Sequence, residues 1–135
     1  MKHITQLAAD LEIPGVLEPS KNGVFLFPIT DDLVLEMKEH TPVGFRLFSP
    51  VAPLPKLKVE ELLILLMKAN LYGQGTRGAI LGLDEKEEVL TLSLDLLEDT
   101  DYRTFKGIVE DFANIVDYWR EEVARHVEMA KEGIL

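Results

Sequence analysis

Cysteine is missing from these 135 residues, which excludes disulfides, thiolate metal sites and cysteine nucleophiles. Positive charge is scarce. Fourteen Lys and Arg stand against 24 Asp and Glu, for a formal net charge of -10. A surplus of that size repels a nucleic-acid backbone and an anionic membrane surface, so neither is expected as a partner. No apolar run approaches the ~20 residues that span a bilayer, which argues against membrane insertion. The opening MKHITQLAADLEIPG is amphipathic and has neither the apolar core nor the small-residue cleavage site of a signal peptide, so a cytoplasmic location is expected.

Catalytic motifs are equally sparse. Gly73-x-Gly75-x-x-Gly78 matches the dinucleotide fingerprint by letters, but that fingerprint needs a strand before it and a helix after it. Here an apolar helical run precedes and a strand pattern follows, so the glycines read as a helix stop and a tight entry into a strand, with Gly82 allowing close backbone approach. Ser20, Ser49 and Ser93 lack a nucleophile-elbow context. His3, His40 and His126 show no metal-ligand spacing and are expected at surfaces or edges. Asp31-Asp32 reads as a turn, and Asp84 to Glu88 as a solvated hairpin tip without the alternating ligands of a calcium loop. No catalytic residue, metal site or cofactor is expected.

What the chain does have is apolar surface. Apolar residues make up 47% and charged ones 28%, the balance of a globular protein, and the length suits one domain over 1–135. Ile4, Leu7, Ala8 and Leu11 take helical spacing up to Pro14-Gly15. Val24 to Ile29 is an apolar strand in which Pro28 points to a sheet edge. Leu33, Leu35 and Met37 alternate with Val34, Glu36 and Lys38 across a turn at Asp31-Asp32. Val43, Phe45 and Leu47 give a third strand, entered through His40, Thr41 and Pro42, and the three form an antiparallel meander. Ser49 to Pro55, with three prolines, reads as an extended connector.

A second helix follows over Val59 to Leu71, then strands at Ala79 to Leu83 and Val89 to Leu94, the latter with a wet face at Thr91, Ser93 and Asp95. The last helix, from Asp101 to Ala130, carries one apolar stripe from Phe105 to Val127 and would be ~45 Å long. Glu98, Asp99 and Asp101 suit its N-terminal dipole, with Asp101 as N-cap. The order α-β-β-β-α-β-β-α is an α+β fold with an antiparallel sheet.

Two apolar surpluses follow. Val24 to Phe27 is apolar on both faces, and Phe48 shares a face with Arg46; this is either a strand buried on both sides or an exposed binding surface. Leu62 to Met67 is hydrophobic all round the second helix, and with little chain left to cover a second side, a homodimer through that helix and the adjacent strands is the favoured arrangement.

The stretch Ala69-Asn70, Leu71, Gly73, Gly75, Gly78-Ala79 and Leu81-Gly82-Leu83-Asp84, supported by Leu90-x-Leu92 and by Phe112 through Trp119-Arg120, resembles the type III secretion chaperones of the Tir chaperone (CesT) family over nearly the whole chain. The resemblance implies a bacterial cytosolic homodimer that binds the N-terminal region of a secreted effector, keeps it extended and presents it to the secretion apparatus without catalysis. The secretion ATPase is then a further candidate partner. It also implies effector-binding patches on the first helix and first sheet, expected at Ile4, Leu7, Val24, Leu26 and Phe48. The dimer interface is expected at Leu62, Leu65, Leu66, Ala69, Leu71, Ile80 and Leu92. A dimeric regulatory adaptor of the same fold, binding partners that are not secreted, is the alternative.

Overall fold

The computed structural model describes residues 2–13, 19–40, 44–97 and 99–135, without the side chains of His40 and Tyr72. The expected breaks at Pro14-Gly15 and Thr41-Pro42, the strand start at Val43 and the acidic Glu98 lie outside the described residues. Elements run α1 (Lys2–Asp10), β1 (Val24–Thr30), β2 (Leu33–His40), β3 (Gly44–Pro53), α2 (Val59–Asn70), a short 3-10 turn (Leu71–Gly73), β4 (Ile80–Leu83), β5 (Val89–Leu97) and α3 (Tyr102–Lys131). The strands form a five-stranded sheet in the order β1-β2-β3-β5-β4. β1 with β2, β2 with β3, and β4 with β5 are antiparallel, so the expected meander and α+β class stand.

The chain divides into two compact units, Met1–Ser49 with Leu94–Ala113, and Pro50–Ser93 with Asn114–Leu135. In the first, period-two alternation sends Phe25, Phe27, Leu33, Leu35, Met37, Phe45 and Leu47 inward, where they are buried along with Ile4 and Leu7 of α1 and Phe105, Val109 and Phe112 of α3. Phe45 and Phe105 meet edge to face at 5.6 Å. His3 caps this cluster, its ring against both and its Nε2 2.6 Å from the Thr100 carbonyl. Asp101 is the N-cap of α3 as expected, accepting the Thr104 backbone N–H at 2.8 Å.

In the second unit, Leu62, Leu66 and Ala69 of α2 fall on one helical stripe and are buried, as are Leu81, Leu90, Leu92, Val116, Trp119 and Val123. The glycine-rich turn is built by close packing. A Cβ on Gly75 would lie 2.8 Å from Ala69 Cβ, and one on Gly73, at φ +68°, would lie 2.8 Å from the Gly78 nitrogen. Trp119 Nε1 donates to the Gly75 carbonyl at 3.0 Å, tying α3 to the turn. Helix before and strand after the glycines leave no helix N-terminus there to hold a pyrophosphate. Gly82 does not need its lack of a side chain, since a Cβ there meets only Thr91 Oγ1 at an ordinary 3.7 Å.

Three other expectations are corrected. Ser49 to Pro53 is not a connector: β3 continues through it, with Ser49 and Val51 buried and Pro50 exposed, because alternation persists where a proline needs no ladder hydrogen bond. Thr91 is buried rather than wet. His126 is also buried, its Nε2 3.0 Å from the carbonyl of Lys58, the residue in left-handed conformation that opens α2.

Candidate protein-binding surfaces

The first surface is the outward side of β1, β2 and β3 in the first unit. Residues whose neighbours fill the core must themselves point away from it, so Val24, Leu26, Glu36, Lys38, Arg46 and Phe48 share one side. Register sets them in two rows, Val24–Lys38–Arg46 and Leu26–Glu36–Phe48. Leu26 is 55% exposed. A depression of about 220 Å³ is lined by Val24, Glu36, Lys38, Arg46 and Phe48. Of the two readings of the apolar strand, the open one holds, since Phe25 and Phe27 face the core and Leu26 faces out.

Arg46 is fixed at the rim by Asp95, Nε to Oδ1 at 2.7 Å and Nη2 to Oδ2 at 3.1 Å. The hydrogen bond and the charge of Asp95 raise the guanidinium pKa further. Both partners are about half exposed, so the pair orients Arg46 more than it stabilises the fold.

The backbone edge beside this surface is mostly closed. Val24 N–H donates to Ser20 Oγ at 3.3 Å and its carbonyl accepts from Ser20 N–H at 2.8 Å, so Val24 turns its backbone groups away from β2. Leu26 and Pro28, two and four residues on, share that orientation, and Pro28 has no N–H. Only Leu26 offers a full donor–acceptor pair to an added strand.

The second surface belongs to the second unit. With Leu62, Leu66 and Ala69 turned inward, the opposite side of α2 leaves Ile64, Leu65 and Met67 exposed, along with Leu71 beyond its end and Ile80 of β4, which is 61% exposed. β4 is the other end of the sheet, and its edge is plugged by Asn70. The Asn70 side chain takes both backbone groups of Leu81, Nδ2 donating to the carbonyl at 2.9 Å and Oδ1 accepting the N–H at 2.8 Å.

These placements sort the expected site residues. Ile4 and Leu7 are each 1% exposed, so their side chains serve the core of their own unit and offer no surface. Leu62, Leu66, Ala69 and Leu92 are likewise buried within the chain, whereas Leu65, Leu71 and Ile80 are exposed. Sequence reasoning missed Ile64 and Met67 and the charged lining Glu36, Lys38 and Arg46. The signal for Ile64 was available: Glu61 and Lys68, both exposed, sit three residues before and four after it and mark the outward side of α2.

An α+β fold with an outward sheet side bearing Leu26 and Phe48 and an exposed apolar helix side has the make-up of a protein that binds other proteins. The chain belongs to the Tir chaperone protein (CesT) family, whose model matches residues 2–120. The Chlamydia pneumoniae protein CPj0713/CpB0740 is 27% identical over 123 residues, covering 90% of this chain and 94% of that protein. Two solved structures share the fold. A chain of the HopA1-SchA chaperone-effector complex superposes with a TM-score of 0.69 at 19% identity, covering 89% of this chain and 91% of that one. A chain of the ExsC-ExsE complex gives a TM-score of 0.74 at 13% identity, covering 89% and 90%. The family match ends at residue 120, yet α3 continues to Lys131 and buries Val123 and His126.

Proposed function

We propose that this protein is a type III secretion chaperone that binds the N-terminal segment of an effector and keeps it extended, acting by binding alone. One observation carries the reading: an open apolar strip, Leu26 beside the Val24–Phe48 depression, on a strand whose other side is core. Family membership and the likeness to a chaperone-effector complex support it. The mechanism is burial of client apolar side chains, with backbone pairing limited to Leu26. An extended client loses conformational freedom on docking, so a broad interface of modest contacts is expected. Residues 1–135 act as one chaperone domain in the cytoplasm.

A homodimer through Leu65, Leu71 and Ile80, with Ile64 and Met67, is part of the proposal. Three half-exposed side chains of this kind, buried on association, contribute on the order of 3 to 5 kcal/mol per protomer before association costs. The Asn70 plug makes side chains, rather than a sheet continuing across β4, the substance of that seam.

The test is purification of the tagged protein from its native cells, with limited proteolysis and mass spectrometry of what remains bound. Recovery of a protected N-terminal fragment of a secreted protein, lost with Leu26→Asp while the dimer persists in sedimentation, is the expected result. Only intact cytosolic partners would instead favour a regulatory adaptor. Ile80→Asp is expected to yield monomer; an unchanged dimer would move the seam elsewhere.

A further inference from the structure

We propose that the open side of the first unit reads an acidic residue beside an apolar anchor, with Lys38 receiving the carboxylate of an extended client segment. This rests on that side being the client surface, and it specifies the client's chemistry.

Register places Lys38 directly between Val24 on β1 and Arg46 on β3. Like charges opposite one another on neighbouring strands repel. Arg46 is answered by the two-pronged contact with Asp95, but Lys38 forms no salt bridge among the described residues. Glu36, two residues along the same side, does not pair with it either. A cation with no ion-pair partner among the described residues therefore stands in this depression, on a chain of net charge -10. The apolar lining there is Val24 and Phe48, and the other charges are Glu36 and the Asp95-bound Arg46. A client carboxylate at this point gives Lys38 the counter-ion that Asp95 already gives Arg46, and it is attracted there although the chain as a whole repels anions.

The spacing fixes a motif. The Leu26–Glu36–Phe48 row lies two residues along the strands from the Val24–Lys38–Arg46 row, about 7 Å away. An extended client lying along the strands presents same-side side chains at that interval. An apolar side chain beside Leu26 and Phe48 thus puts the residue two positions away over Lys38. Since β1 offers only one backbone pair, recognition falls to these side chains.

A random 12-residue peptide phage library is panned against the full-length protein and against Lys38→Glu. Enrichment of an apolar residue with Asp or Glu two positions away supports the proposal. So does a reversal toward Lys or Arg on the Lys38→Glu protein. Synthetic versions of the enriched peptides should lose about three- to tenfold in affinity on Asp→Asn replacement or on Lys38→Gln. Peptides that ignore Lys38→Gln but are lost on Leu26→Asp overturn the carboxylate motif and leave the client surface standing. Peptides indifferent to Leu26 and Phe48 overturn both. If Leu26→Asp and Lys38→Glu each change the sedimentation of the protein alone, the surface belongs to a second copy and the proposal falls.

Discussion

Replacing Gly75 by alanine tests whether the glycine-rich turn exists for packing. Gly75 is not in the left-handed region, so alanine meets no backbone penalty there, and its whole cost is steric. The new methyl would lie 2.8 Å from Ala69 Cβ and 3.0 Å from Ala69 Cα, with no flexible side chain able to swing aside. Overpacking of this kind costs about 1–3 kcal/mol, and the rigid neighbour places Gly75→Ala near the upper end. The shift also disturbs the carbonyl that accepts from Trp119, a bond worth about 1 kcal/mol. Ala69→Gly alone costs about 1.5–2 kcal/mol, from lower helix propensity and the lost buried methyl. Together, however, the two changes remove the Cβ–Cβ clash and leave only the 3.0 Å approach to Ala69 Cα, so the double variant should be about 1 kcal/mol more stable than the sum of the singles predicts. Urea titrations followed by circular dichroism and by Trp119 fluorescence read the cycle, because the chain's one tryptophan reports on this turn. Coincident curves validate a single free energy. A Gly75→Ala cost under about 0.5 kcal/mol, or strict additivity with Ala69→Gly, would refute the packing account of the motif.

Asn70→Ala strips Leu81 of a donor and an acceptor at once and should cost about 2–4 kcal/mol in the same titration; a change no larger than at an exposed surface site would show the plug to be idle. Asp101 and Asp84 are both held below the ordinary carboxylate range, first by backbone N–H donors, from Thr104 for Asp101 and from Val89 and Glu88 for Asp84. Their contribution to stability is complete above the ordinary range and is lost as pH falls through the lowered values. Asp101→Asn should therefore flatten the acid limb of the stability profile, checked by melting between pH 2 and pH 6 at roughly half-unit steps. Tyr102 is pushed up to about 12, by desolvation first and then by its hydrogen bond to Asp10. Ultraviolet titration of Asp10→Asn should move that late-ionising tyrosine down only in part, since desolvation, the larger cause, remains.

The order of elements was legible because each announces its own period: two in Leu33–Met37, and three to four from Phe105 to Val123. Prolines misled at Pro50 and Pro53, since a breaker signal carries no information about whether its nitrogen was needed for a ladder. At the candidate surfaces, apolar character was legible and direction was not. Ile4 and Leu7 made α1 look sticky, yet an amphipathic helix of nine residues simply turns its apolar side to the core. From Leu62 to Met67 every position of α2 is apolar, so the inward stripe Leu62–Leu66–Ala69 could be told from Ile64 and Leu65 only by the charged residues that flank the run. Asn70 was quoted as a letter in a motif; its bonds to Leu81, eleven residues on, depend on the turn between them and cannot be read from spacing.

Both ends of the sheet are blunted, by Ser20 and Pro28 on β1 and by Asn70 on β4. A protein that keeps company with unfolded chain faces a particular hazard, because any open strand is a template for the next, and a template at each end makes a fibre. Here each end offers an added strand few free backbone groups. On the proposed function, capture of an extended segment would therefore be self-terminating, and a bound client would not seed an aggregate.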